Sequence, residues 1–250
     1  MSRIWRELRL AGAFLTRWPV GPPTPVAALE LGRSMAFFPL VGLCLGGVLL
    51  AADAALTHLL PRPVGDALLL ALLALLTGAL HLDGFADLCD GVGGGRDREA
   101  ALRIMKDSHI GAFGTVGLIL LLLLKYLALA GLPAGIKPAA LLLMPAAGRW
   151  APVLLTVMVP YLRGPEGTGA AFAGHAGRRE LLLASVTLLA AAAALFRLEG
   201  LLLAGGTVLV TVGFGLWSWR RLGGVTGDLL GAAVELVELA TLLLVLALMA

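Results

Sequence analysis

Charge is scarce in this chain. Only 14% of its 250 residues are Asp, Glu, Lys or Arg, against 59% hydrophobic residues and a mean hydropathy of +0.95, a balance that excludes an ordinary soluble domain and predicts a membrane protein. An excess of either sign is missing too. Nineteen basic residues against sixteen acidic ones leave +3, too small and too scattered for a nucleic-acid surface, so the pI near 9.2 names no partner. There are only two cysteines, Cys44 in an apolar run and Cys89 in a polar segment. Settings so unlike exclude a disulfide framework and zinc spacing, and both read as free thiols. The N-terminus lacks an uncharged apolar stretch, because Arg6, Glu7, Arg9 and Arg17 interrupt it, so no cleavable secretory signal is expected. Instead Ile4, Trp5, Leu8, Ala11, Leu15 and Trp18 recur at steps of three to four residues, which predicts an amphipathic helix in the interface, ended by Pro19, Pro22, Pro23 and Pro25.

What is abundant is long apolar runs. A span takes roughly 20 such residues, and they occur near 34–56, 65–82, 110–130, 138–160, 181–197, 200–219 and 229–249. The expected fold is an all-α, polytopic membrane bundle of about seven helices, with six and eight as alternatives. It forms one domain over 1–250, with 1–33 as the interfacial segment. The second and fifth runs are short, and Pro145 and Pro152 mark the fourth as a place for a break. With the N-terminus in the cytoplasm, fourteen of the nineteen basic residues fall in inner segments and only Arg62, Lys137 and Arg197 in outer loops. That bias predicts the orientation. No composition shift marks a second domain, and no internal repeat is visible.

The polar connection 82–109, expected as a cytoplasmic Asp-rich loop, joins two of these runs. Between His81 and His109 stand Asp83, Asp87, Asp90, Asp97, Glu99 and Asp107, six of the sixteen acids. If the second helix continues through 82–91, Asp87 and Asp90 lie about 40° and 20° around the axis from Asp83. Three carboxylates on one face repel unless a cation sits among them, and hard oxygen donors favour Mg²⁺, Mn²⁺ or Ca²⁺ over zinc. The competing reading is a solvated acidic loop. Gly91, Gly93, Gly94 and Gly95 follow, serving either close backbone approach to a ligand or a turn before a helix opened by Asp97, Arg98 and Glu99. Arg103 and Lys106 can neutralise phosphate or pair with Asp107.

The last run carries Asp228 and Glu235 seven residues apart on one helical face, with Glu238 about 60° further round. Acids within a span are candidates for function, the alternative being an ion pair with Arg149, itself deep in the fourth run and expected to face inward. Lys125 is expected to snorkel beside Tyr126, and His58 to lie at the surface. His81, His109 and His175 have no partners at zinc spacing. Gly111, Gly114 and Gly117, like Gly42, Gly46 and Gly47, form small-residue stripes for helix packing.

Residues 78–91, GALHLDGFADLCDG, then 104–111, IMKDSHIG, and 224–232, GVTGDLLGA, with Glu235, resemble the cobalamin synthase family, also called adenosylcobinamide-GDP ribazoletransferases. The likeness extends to 14–19, FLTRWP, and 37–42, FFPLVG, and so runs along nearly the whole chain. It implies an integral enzyme of the bacterial inner membrane, its site toward the cytoplasm, that joins adenosylcobinamide-GDP to α-ribazole or its 5′-phosphate and releases GMP. The implied cofactor is Mg²⁺. On this reading Asp83, Asp87 and Asp90 bind metal; Arg103, Lys106, Ser108, His109 and Arg149 face substrate phosphate; Asp228 or Glu235 completes the metal shell or takes the hydroxyl proton. His109 departs from the family pattern, which more often has Arg there, and imidazole binds phosphate more weakly. Partners are small molecules and the lipid bilayer, with a homo-oligomer possible and no nucleic acid. One rival is a CDP-alcohol phosphotransferase: Asp87-Leu-Cys-Asp-Gly91 supplies its D-x-x-D-G opening, but Gly94 and Gly95 stand where Ala-Arg belongs. The other is a transporter with Glu235, Glu238 and Arg149 as an ion relay, although no inverted repeat is visible.

Overall fold

The computed structural model describes residues 3–21, 26–163 and 168–249. α1 (Arg3–Leu15) is the predicted amphipathic helix, but it leans on the bundle rather than lying free in the interface. Leu10, Ala11 and Leu15 are buried, while Ile4 and Trp5 are 65% and 52% exposed. The buried stripe is therefore rotated from the expected one, because tertiary contact with α2 (Ala28–Ser34) and α3 (Phe38–Leu56) selects the face that packs best. Pro19 lies just beyond the helix; Pro22, Pro23 and Pro25 lie outside the described residues.

Among the described residues, six helices are long and apolar enough to cross a membrane: α2 running through a 3₁₀ turn into α3, then α7 (Ala112–Gly131), α8 (Lys137–Met158), α10 (Arg178–Phe196), α11 (Glu199–Leu222) and α12 (Gly227–Met249). The expected second span is not one helix. α4 (Arg62–Thr77) and α5 (Leu80–Gly94) meet at 95°, and together they make the seventh candidate crossing. The bend has a local cause, since Gly78 and Ala79 both take left-handed backbone (φ 62° and 57°), which stops one helix and starts another. The anticipated 82–109 loop is likewise mostly helical, built from α5 and α6 (Arg98–Ile104), with Asp97 capping α6 by accepting the Ala100 N–H at 2.8 Å.

The break expected in the fourth run does not occur. α8 continues through Pro145 and Pro152. Pro145 leaves the Leu141 carbonyl without its helical donor, and the α3 backbone closes over that stretch at Gly42 and Gly46, where added Cβ atoms would strike Pro145, Ala146 and Leu141. α8 and α12 form the centre, with α3 and α10 flanking α8, and α5, α7 and α11 packed on α12. By connectivity α1, α5, α6, α9 (Thr168–Ala173) and the 223–226 turn gather at one end, and the turns at 57–61, 132–136 and 197–198 at the other.

Candidate active site

The acidic helix reaches its partners through one close contact. A Cβ at Gly84 would lie 2.6 Å from the Asp228 carbonyl oxygen, so glycine lets α5 and the start of α12 touch backbone to backbone. That contact sets Asp83 and Asp87 on α5 beside Asp228, whose first-turn position on α12 suits a carboxylate. Thr226 caps the helix, its hydroxyl accepting the Leu229 N–H at 3.3 Å.

A second element is carried in by a loop pairing. The Leu162 N–H donates to the Val225 carbonyl and the Val225 N–H to the Pro160 carbonyl, both at 2.8 Å, in a short parallel bridge between the chain leaving α8 and the chain entering α12. It delivers Arg163, which donates to the Asp228 carboxylate at 2.5 Å and to the Met105 carbonyl at 3.3 Å. After α6 come Lys106, Asp107 and Ser108. Together Asp83, Asp87, Lys106, Asp107, Ser108, Arg163, Thr226 and Asp228 line a cavity of about 720 Å³. Four carboxylates face two cations there. Hydrogen bonds to the Asp107 carboxylate from the His109 ring at 2.6 Å and from the His109 backbone N–H at 3.1 Å hold Asp107 below the usual carboxylate range.

Asp83, Asp228 and Arg163 also border an adjoining cavity of about 240 Å³ with a different lining, chiefly Phe14, Leu15, Met35, Phe38, Phe172 and Val234. Tyr161 stands on its wall, and burial first, with the Asp228 charge behind it, pushes its hydroxyl above the ordinary phenol range.

The other residues singled out from sequence go elsewhere. Asp90 is buried and turned to α7, accepting the Gly111 and Gly114 N–H groups at 2.7 and 2.8 Å, which caps that helix. Among the described residues, no group of three His, Cys, Asp or Glu stands ready to hold a metal ion. Gly91, Gly93 and Gly95 face Met105, Phe113 and Ala101, so they serve packing of α5 on its neighbours. Arg103 and His109 are exposed and do not line the cavity.

Arg149 is 1% exposed, is paired with Glu238 and lines neither cavity. Lys125, expected to snorkel, is 2% exposed and bonds Glu235 and Glu238 at 2.5 Å each. Its neighbours on α12 offer two carboxylates in the interior, which outweighs the pull of the interface. Sequence reasoning missed Arg163, which enters only the count of inner basic residues, and Tyr161. It also missed a second buried cluster at the far end, where Lys137 meets Asp53 and Asp66 at 2.5 Å each.

The cobalamin-5-phosphate synthase family model matches residues 7–247. A protein from Geotalea daltonii is 46% identical over 218 residues, 87% of each chain. One from Pseudomonas putida strain GB-1 is 46% identical over 242 residues, 94% of this chain and 95% of its own. One from Syntrophobacter fumaroxidans is 43% identical over 245 residues, 96% and 97% respectively. All three bear the name adenosylcobinamide-GDP ribazoletransferase. No solved structure matches. The match spans the chain from within α1 to within α12, and this chain belongs to the cobalamin-5-phosphate synthase family.

Proposed function

We propose that this membrane transferase joins adenosylcobinamide-GDP to α-ribazole, or to its 5′-phosphate, and releases GMP. One observation carries the reading: carboxylates from α5 and α12 meet Lys106, Ser108 and Arg163 in a single cavity beside an apolar one. The ribazole hydroxyl oxygen attacks the phosphorus that bears cobinamide, the bond to the bridging oxygen of the diphosphate breaks, and charge accumulates on departing GMP. Cations must meet that charge. Lys106 and Arg163 bind phosphate oxygens, and the Ser108 hydroxyl donates to one.

The chemistry of the donors suits Mg²⁺, being carboxylate oxygen with an unbalanced negative charge, although among the described residues no three of them stand close enough to form a ready ligand group. Asp83 and Asp87 would hold the ion, with Asp228 completing its shell; Asp90, committed to α7, would support α5 rather than bind metal. Bound there, Mg²⁺ would supply Lewis-acid neutralisation of the diphosphate. Asp228, fixed by Arg163, is otherwise placed to take the hydroxyl proton.

The end bearing this cavity carries the basic residues of α1, α6 and the α9–α10 region, and the opposite end only Arg62, Lys137 and Arg197. That asymmetry supports a bacterial inner-membrane location with the site toward the cytoplasm. Purified protein in detergent, given both substrates and Mg²⁺, is expected to release GMP and form the cobamide. Absence of both products, with the protein folded and Mg²⁺ or Mn²⁺ supplied, refutes the reading. For orientation, a cysteine placed at His58 in a variant lacking Cys44 and Cys89 should react with an impermeant thiol reagent only from outside intact cells.

A further inference from the structure

Four separate parts of the chain supply most of the hydrocarbon lining of the cavity adjoining the carboxylates. α1 gives Phe14 and Leu15, the α2–α3 stretch gives Met35 and Phe38, α9 gives Phe172, and α12 gives Leu230 and Val234. Three of these side chains form an aromatic cluster: Phe14 and Phe172 have ring centroids 4.2 Å apart, and Phe38 stands 6.0 and 5.8 Å from them. Asp83, Arg163 and Asp228 belong to both cavities, so whatever occupies the apolar one lies next to the reacting phosphate. We propose that this cavity binds the flat, apolar heteroaromatic base of the acceptor nucleoside, and that Leu230 and Phe172 set which base is accepted.

The inference rests on the proposed transfer and adds to it where each half of the reaction sits. Guanine suits the phenylalanine cluster poorly: its ring edge carries three donor hydrogens and several acceptors, which those rings leave unpaired, and only Asp83, Asp228, Arg163, Tyr161 and His81 offer polar groups to it. A dimethylbenzimidazole has two methyl groups, a π face suited to the phenylalanines and one free ring nitrogen. Three side chains on the cavity wall can donate to that nitrogen: the Tyr161 hydroxyl, the Arg163 guanidinium and the His81 ring. The His81 Nδ1 lies 3.5 Å from Arg149 Nη2, a long contact in which the guanidinium can only donate, and this favours a ring proton on Nε2.

The test is a pair of variants read by binding and turnover, with α-ribazole and its analogue carrying unsubstituted benzimidazole. Leu230→Phe narrows the cavity and Phe172→Ala widens it, and size-exclusion profiles establish that each is folded. Leu230→Phe is expected to weaken binding of α-ribazole by about ten-fold or more, the usual cost of a methyl that no longer fits. Binding of the unsubstituted analogue changes less, and KM for adenosylcobinamide-GDP stays within about two-fold. Phe172→Ala moves the preference toward the larger base. If both bases shift equally in both variants, or if KM for adenosylcobinamide-GDP moves instead, the base does not lie here and the assignment is overturned. Equilibrium binding needs no turnover, so the two readings fail separately. A wild-type protein that binds α-ribazole in this cavity without making product removes the proposed reaction and keeps the site. One that makes product while the variants leave base preference untouched keeps the reaction and removes the site. Co-purified lipid, displaced by neither nucleoside, assigns the cavity to an acyl chain and also overturns the inference.

Discussion

Two groups of acids sit within one helix of each other and do opposite work. At the start of α12, Asp228 joins Asp83 and Asp87 around an open cavity, where Arg163 and Lys106 are the neighbouring cations. Two turns further along α12, Glu235 and Glu238 are buried against Lys125 and Arg149, two anions against two cations. The first group keeps charge in reserve for a ligand, whereas the second is neutral as a set and joins α7, α8 and α12 through the interior. Acids inside a span are therefore informative only once their counterions are counted. The same count weighs against an ion relay through Glu235, Glu238 and Arg149, since each member is already engaged.

The largest expected effect lies on the open side. Asp83→Asn should lower turnover by more than about 10²-fold, since changing mere outer-shell partners of a metal already costs roughly 10–100-fold. Its thermal unfolding should stay close to wild type, and excess EDTA should reproduce the loss until Mg²⁺ is restored. A variant that keeps near-normal rates would make the acidic face a solvated surface.

Next comes the sealed side. Lys125→Met leaves Glu235 and Glu238 facing a single cation in the interior, and unfolding in detergent should show a loss of about 3–5 kcal/mol. Replacing Lys125 and Glu235 together with apolar residues should recover much of it. If the single variant is fully stable but inactive, the cluster belongs to the chemistry and the contrast drawn above fails.

Asp90 tests the boundary between the groups. It shares a helical face with Asp83 and Asp87 but spends both oxygens on the N-terminus of α7. Asp90→Ala should cost about 1–2 kcal/mol as a lost cap, while kcat for the surviving folded protein stays within a few-fold of normal. A collapse as deep as that of Asp83→Asn, with stability intact, would return Asp90 to the metal.

Much of this was legible from residues alone. Hydropathy gave the crossings, and the i, i+4 spacing put Asp83 and Asp87 on one face, because both depend on local periodicity. The 95° bend was not legible: Gly78 invites a left-handed turn, but Ala79 beside it gives no such signal. Nor was the role of Asp90, since a carboxylate that caps another helix looks in sequence like one that binds a cation. Arg163 was hidden for a similar reason. Its placement depends on the Tyr161–Val225 bridge, a pairing between loops more than sixty positions apart that no periodicity encodes. Lys125 was misread because its carboxylate partners come from α12, over a hundred residues away.

The smallest expected effect concerns His109, where the chain departs from the family pattern. Its ring and backbone hold Asp107, which lines the cavity, below the usual carboxylate range. A depressed folded-state pKa means that this contact stabilises the fold above the unfolded value near 3.9 and loses its effect as pH falls through the lower folded value. Asp107 is thus ionised at any physiological pH, with or without its partner. His109→Ala should therefore leave turnover at pH 7 within about two-fold and neutral-pH stability unchanged, as for other exposed positions, and should differ from wild type only in the acid limb of the stability profile. A ten-fold loss of turnover at neutral pH would instead mean that the imidazole itself contacts substrate phosphate, and the count of cations in the open cavity would rise from two to three.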